Sequence, residues 1–129
     1  MNRQIKFRVW DDQRKQFRDD VISFQTEENN IVEVSFENGE DHFIKKDGFI
    51  SYPSSQIQQF TGFHDNNGKE IYEGDILANK NSIPENVVFK DGCFCFYAEQ
   101  TGVSRLSKDR CKRLEIIGNI FENADLLKL

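Results

Sequence analysis

The chain has 129 residues at 15.1 kDa, which suits one domain or two small lobes and excludes a large multidomain enzyme, because domains commonly run to roughly 100–150 residues. Hydrophobic residues make up 37% and charged residues 30%, with 12 Phe: apolar mass enough to fold, but no run of about 18 apolar residues to form a membrane-spanning helix. With 17 basic and 22 acidic residues the net charge is −5, so the overall field repels a phosphate backbone and disfavours bulk nucleic-acid binding.

Strand signals dominate the order of elements. Residues 5–10 alternate Ile5, Phe7 and Val9 with Lys6, Arg8 and Trp10, the period-2 pattern of a half-buried strand, and Asp11-Asp12 reads as its turn. Val32, Val34 and Phe36 alternate with Glu33 and Ser35 up to Asn38-Gly39, a hairpin signal, with a return strand over residues 41–44 that places His42 opposite Ser35. Tyr52-Pro53-Ser54-Ser55 interrupts two strand-rich halves, giving an N-terminal β-rich lobe over residues 1–55 and a second lobe over residues 56–129, unless both form one domain. A hairpin centred on Asn66-Asn67-Gly68 joins residues 58–63 to Glu70-Ile71-Tyr72, with a type I′ turn expected at Asn67-Gly68. Glu73-Gly74-Asp75 follows as a tight corner before the strand Ile76-Leu77-Ala78. Asp91-Gly92 makes the clearest hairpin, pairing Phe89 with Phe94 and Val87 with Phe96 on one face. Its other face carries Val88 with Cys95 and Lys90 with Cys93, and an antiparallel sheet apolar on both faces calls for a cover. Helix signals are confined to a short turn over residues 107–113 and a brief segment after Asn123 as cap.

Charge is segregated. Residues 1–18 hold six basic and two acidic side chains, residues 19–41 eight acidic and none basic, and residues 105–113 five basic and one acidic. Such runs are usually solvated faces, but two basic segments and one acidic segment can also meet within the fold or between subunits. Three cysteines, Cys93, Cys95 and Cys111, make an odd count that argues against a disulfide framework. With no apolar signal-peptide region after Met1, reduced thiols and a cytoplasmic location are expected.

Chemical motifs are missing. His64 to Glu70 resembles a calcium loop, yet aligning Gly68 with its central glycine puts Phe63 and Gly74 where ligating carboxylates belong. The cysteines lack zinc-type spacing, and neither His42 nor His64 is paired with them. No nucleophile elbow and no phosphate-cradling glycine loop occurs, so no catalytic residue, cofactor or metal is expected; His64 is the one plausible acid–base group.

The segment from Gln59 to Leu77, Gln-Phe-Thr-Gly-Phe-His-Asp-Asn-Asn-Gly-Lys-Glu-Ile-Tyr-Glu-Gly-Asp-Ile-Leu, resembles the central signature of the YopX family, proteins encoded by bacteriophages and prophages. Ile5-Lys6-Phe7-Arg8-Val9-Trp10-Asp11 is similar to the opening of that family, and residues 115–123, Glu-Ile-Ile-Gly-Asn-Ile-Phe-Glu-Asn, to its close. The resemblance implies a mainly β protein with short helices, a small SH3-like barrel built from antiparallel hairpins plus the N-terminal β lobe, and a tendency to self-associate in the cytoplasm of a bacterial host cell. It implies no established activity, cofactor or catalytic residue. Within the signature, Gly68 and Gly74 are expected as structural turn positions, and Thr61, His64, Lys69, Glu73 and Asp75 as a candidate recognition surface.

Three functions follow as expectations. The first is a non-enzymatic, self-associating interaction module with a phage or host protein as possible partner and no membrane. The second is a nucleic-acid-binding barrel using Arg3, Lys6 and Arg8 with Arg105, Lys108, Arg110, Lys112 and Arg113, and Phe17 or Tyr97 for stacking. The third is a small nuclease-like enzyme built on His64.

Overall fold

A computed structural model describes residues 4–26, 28–37 and 49–128. The architecture is mainly β, with antiparallel sheets and a curled, half-barrel sheet that fits the small barrel-like fold expected. Among the described residues no helix is long and apolar enough to cross a membrane. Backbone contacts divide the chain into one unit of Lys6–Gln59 and another that holds the residues from Phe60 onward.

The first unit opens with β1 (Phe7–Asp11), which turns back into β2 (Gln16–Arg18) with Trp10 opposite Phe17. The turn is built by Asp11, whose Oδ1 accepts from the backbone N–H of Gln13 and Arg14, both at 3.1 Å, and it closes with Lys15 at φ 55°. Alternation in β1 misses one feature: Arg8 and Trp10, expected on a wet face, are buried with Val9. Phe17 supplies the cover. The Arg8 guanidinium stacks 3.8 Å above its ring, Trp10 meets its edge at 4.9 Å, and Arg8 Nε donates to Gln58 Oε1 at 2.9 Å.

β3 (Val21–Thr26), β4 (Ile31–Phe36) and β5 (Ile50–Pro53) form a three-stranded sheet in that order. β4 shows the alternation read from its sequence: Val32, Val34 and Phe36 are buried with Val9 and Tyr52 as the core of this unit. Burying such side chains contributes about 1.5–3 kcal/mol each. A register shift between Val21 and Ser23 leaves Ile22 as a bulge, which kinks an edge strand and blunts its capacity to pair indiscriminately. The expected partner strand at residues 41–44, with its Asn38-Gly39 turn and His42, lies outside the described residues; the observed neighbour of Ser35 is Ser23, with hydroxyl oxygens 2.7 Å apart. Tyr52-Pro53 belongs to β5, and Ser54–Gln56 forms a 3-10 turn that leads into β6 (Ile57–His64).

The first residues of β6 pair with β1 in the first unit, and from Phe60 onward β6 pairs with β7 (Glu70–Tyr72) in the second. In the second unit a five-stranded sheet orders β11 (Gly102–Arg105), β10 (Cys93–Ala98), β9 (Glu85–Lys90), β8 (Asp75–Ala78) and β12 (Glu115–Asn119). The hairpin from β9 to β10 has the register read from sequence, Phe89 opposite Phe94 and Val87 opposite Phe96. Asp91 and Gly92 both take positive φ, 52° and 80°, as a type I′ turn requires. Val87 and Phe96 enter a core with Ile71, Leu77, Leu106, Cys111 and Leu114. The short helix α1 (Lys108–Lys112) delivers Cys111 to that core and is capped by Ser107, whose hydroxyl accepts from Arg110 N–H. Asn123 does not cap the 3-10 turn Ala124–Leu127. Its Oδ1 accepts instead from the Asn119 N–H at 3.1 Å.

Candidate interaction surface

The signature segment folds as scaffold first. Phe60 pairs with Tyr72 and His64 with Glu70, so β6 carries two more residues than β7 between these pairs. Thr61 holds the resulting bulge: its hydroxyl donates to the Ile71 carbonyl at 2.7 Å and accepts from Phe63 N–H at 3.1 Å. The loop that follows is anchored by Asp65, 4% exposed. Its Oδ1 accepts from the N–H of Asn67 and Lys69, each at 2.9 Å, and its Oδ2 from Ile116 N–H in β12 at 3.0 Å. One carboxylate thereby fixes the hairpin and ties it to a strand some fifty residues away in sequence.

The turn is not the type I′ pair expected at Asn67-Gly68. Positive φ occurs at Gly68 (78°) but not at Asn67, and Gly68 N–H returns to the Asp65 carbonyl while Asp65 N–H reaches the Lys69 carbonyl. This is the three-residue form, a turn followed by a left-handed glycine; the Asp65 carboxylate, by drawing in the N–H of Asn67 and Lys69, favours it over the tighter alternative. Gly74 (φ 87°) turns β7 into β8, its N–H donating to the Val87 carbonyl at 2.7 Å and its carbonyl accepting from Ile120 N–H at 2.9 Å. A β-carbon at Gly68 would meet nothing within 4 Å, so Gly68→Ala isolates backbone strain and is expected to cost about 1 kcal/mol. Gly74→Ala, inside two backbone hydrogen bonds, is expected to cost at least as much. Urea unfolding midpoints check both, and two unchanged midpoints would refute the turn geometry.

Of the residues read as a recognition surface, two are displayed. His64 and Lys69 are exposed, His64 with its ring edge-on to Phe60 at 5.6 Å. Thr61 and Glu73 are half-buried, and Thr61 is committed to backbone. Asp75 is buried, its Oδ2 accepting from Tyr72 N–H at 2.8 Å, so it belongs to the corner and is not displayed. Asp75 and Asp65 act alike, each an internal acceptor for N–H groups that a tight turn leaves without a ladder partner.

The basic segments divide similarly. Arg8 is buried against Phe17, and the Arg18 guanidinium lies 3.7 Å over Phe36 and pairs with Asp20. Arg110 pairs with buried Glu85, donates to Ser104 Oγ and sits 4.4 Å over the Phe96 ring. Arg105, Lys108, Lys112 and Arg113 stay exposed.

Two groups of exposed apolar side chains lie on strands, Ile22, Phe24 and Ile31 on β3 and β4 of the first unit and Phe89, Tyr97 and Val103 on β9 to β11 of the second. The face carrying Val88 and Cys95 was expected to need a cover; Cys95 is already 5% exposed and Val88 half-buried within the chain. What stays open is the continuation of that face, where Tyr97 stands directly opposite Val103, 37% and 45% exposed. On the other face, Phe89 at the hairpin tip is 56% exposed with its ring 5.1 Å from Phe94. Sequence reasoning did not include Val103, because β11 is short and carries a single apolar residue between Gly102 and Ser104.

These features define a small, mainly β protein whose polar signature residues serve turns and whose outer strands present apolar side chains. Residues 6–128 match the YopX protein family, and the chain belongs to that family. It is similar over 98% of its length, and over the whole of the other chain, to the crystal structure of protein EF1440 from Enterococcus faecalis, with a TM-score of 0.62 and 26% identity. Comparison with curated protein sequences gave no significant match.

Proposed function

We propose that this protein is a non-enzymatic interaction module that assembles with a second copy of itself, in the cytoplasm of a bacterial host cell, with a phage or host protein as a further partner. The observation that carries the reading is the exposed Tyr97–Val103 pair, which joins β10 to β11, an outer strand of the five-stranded sheet. An outer strand leaves one side of its backbone without a ladder partner, and antiparallel addition of two identical edges is self-complementary, as a two-fold dimer requires. Pairing β11 with its copy would also bring the two Tyr97–Val103 pairs into one apolar strip. The commitment of Thr61, Asp65 and Asp75 to backbone N–H and C=O groups supports a scaffold over a catalytic role for the signature.

Sedimentation velocity at micromolar concentration is expected to give a closed homo-oligomer that dissociates in Val103→Glu, with Val88→Glu weakened less because Val88 is half-buried in the chain. A strictly monomeric wild type, or a Val103→Glu variant of unchanged mass and native circular dichroism, would overturn the proposal. The exposed Arg105, Lys108, Lys112 and Arg113 favour one second reading, contact with nucleic acid. Tight binding of RNA or DNA at physiological salt would promote it; weak binding that collapses as salt rises fits the interaction module.

A further inference from the structure

Cys93 and Cys95 lie two residues apart in β10, so strand alternation points both thiols to one face, and their sulfurs are 3.5 Å apart. The type I′ turn at Asp91-Gly92 fixes the start of this strand. Cys93 is half-buried and its thiol reaches toward the Lys90 carbonyl, while Cys95 beside it is nearly enclosed. Cys111 is separate from this pair in role: it is part of the hydrophobic core, and burial pushes its thiol up to about 11.

We propose that Cys93 and Cys95 form a bidentate dithiol site for a monosubstituted trivalent arsenical. The sulfur separation decides the coordination. With bonds to sulfur of about 2.3 Å, sulfurs 3.5 Å apart subtend roughly 100° at the bound atom. A linear two-coordinate ion, the habit of monovalent copper with two thiolates, would need them about 4.6 Å apart for bonds of that length. Zinc accepts a bent angle but takes four ligands, and among the described residues no group of three or more His, Cys, Asp or Glu gathers. Trivalent arsenic is pyramidal, keeps its carbon substituent and needs two sulfurs only, which the pair supplies. In the reaction each thiol gives up its proton, two arsenic–sulfur bonds form, and the arsenic-bound oxygen leaves with both protons as water; no atom changes oxidation state. Burial first, and the neighbouring Cys93 next, raise the Cys95 thiol.

The test is titration of the full chain with phenylarsine oxide, followed by intact mass spectrometry. One phenylarsenic adduct per chain is expected at micromolar reagent, reversed by a small dithiol and resistant to a monothiol. Cys93→Ser and Cys95→Ser are each expected to weaken it by about 100-fold or more, the loss of the second, intramolecular bond; Cys111→Ser is expected to keep it. Cys93 is half-buried and serine is close to cysteine in size, so Cys93→Ser should retain native circular dichroism and serves as the decisive variant. An adduct undiminished in Cys93→Ser, or none in the wild type, would overturn the proposal.

Discussion

Replacing Asp65 by Ala is expected to destabilise the second unit by about 4 kcal/mol, near the top of the range for single substitutions. Three backbone N–H groups, from Asn67, Lys69 and Ile116, donate to this carboxylate at 2.9–3.0 Å. Hydrogen bonds to a charged acceptor contribute about 1.5–3 kcal/mol each, and buried donors left without an acceptor cost more than the bond itself contributes. Full additivity fails, because the loop can admit water once the carboxylate is gone. Asp65→Asn separates the contributions: its single oxygen can still accept from Asn67 and Lys69, but its amide then presents a donor to the Ile116 N–H. About half the loss is expected for Asn, and the residual defect should lie at β12, where amide hydrogen exchange of Ile116 should speed up. Equal unfolding midpoints for wild type and Asp65→Ala would show that the network carries no stability.

Residue Asp65 also marks where the sequence was legible. Asp-Asn-Asn-Gly reads as a turn because Asx side chains bond their own backbone and Gly accepts positive φ, and that much is local. The third bond of the carboxylate, to Ile116 in β12, depends on which strand lies beside the loop, and no local pattern encodes it. The same limit separates the β9–β10 hairpin from β1. Asp91-Gly92 dictates a register between adjacent segments, so Phe89 meets Phe94 as the spacing requires. In β1, alternation placed Arg8 and Trp10 on a wet face, and they are buried because Phe17, in a three-residue strand too short to announce itself, covers them.

Burial of β3 was illegible for a related reason. Val21–Thr26 lies at the sheet edge, exposed from Ile22 onward, so its composition is set by solvent as much as by pairing and the period-2 signal fades. In the candidate surface, reading five polar signature residues as displayed treated hydrophilicity as exposure. A polar side chain is also the natural occupant of a buried turn, where it accepts the N–H groups that a corner cannot pair. Asp75 shows this, since the Glu73-Gly74 corner leaves Tyr72 N–H pointing inward at its carboxylate.

The Glu85–Arg110 pair supplies the other large effect, and here the two single variants and the double variant should differ in order. Glu85 is almost fully enclosed, whereas the Arg110 side chain is one-third exposed. Arg110→Met keeps apolar packing over Phe96 but strands a buried carboxylate, and breaking a buried pair from one side costs about 3–5 kcal/mol; the partly solvated guanidinium argues for the lower end. Glu85→Gln leaves a neutral group that can still accept from Arg110, while the arginine turns toward water, so a loss of about 1–2 kcal/mol is expected. The double variant Glu85→Met with Arg110→Met removes both desolvated charges and restores apolar contact, and replacing a whole buried pair in this way is often close to neutral. It is therefore expected to be more stable than Arg110→Met alone. Urea unfolding of these variants, with the single Glu85→Met added to close the cycle, gives the coupling directly. Additive losses would mean that the two charges do not act as a pair; a double variant more stable than the single Arg110→Met would establish that the cost lies in the orphaned carboxylate, with α1 docked through it onto Phe96 and β9.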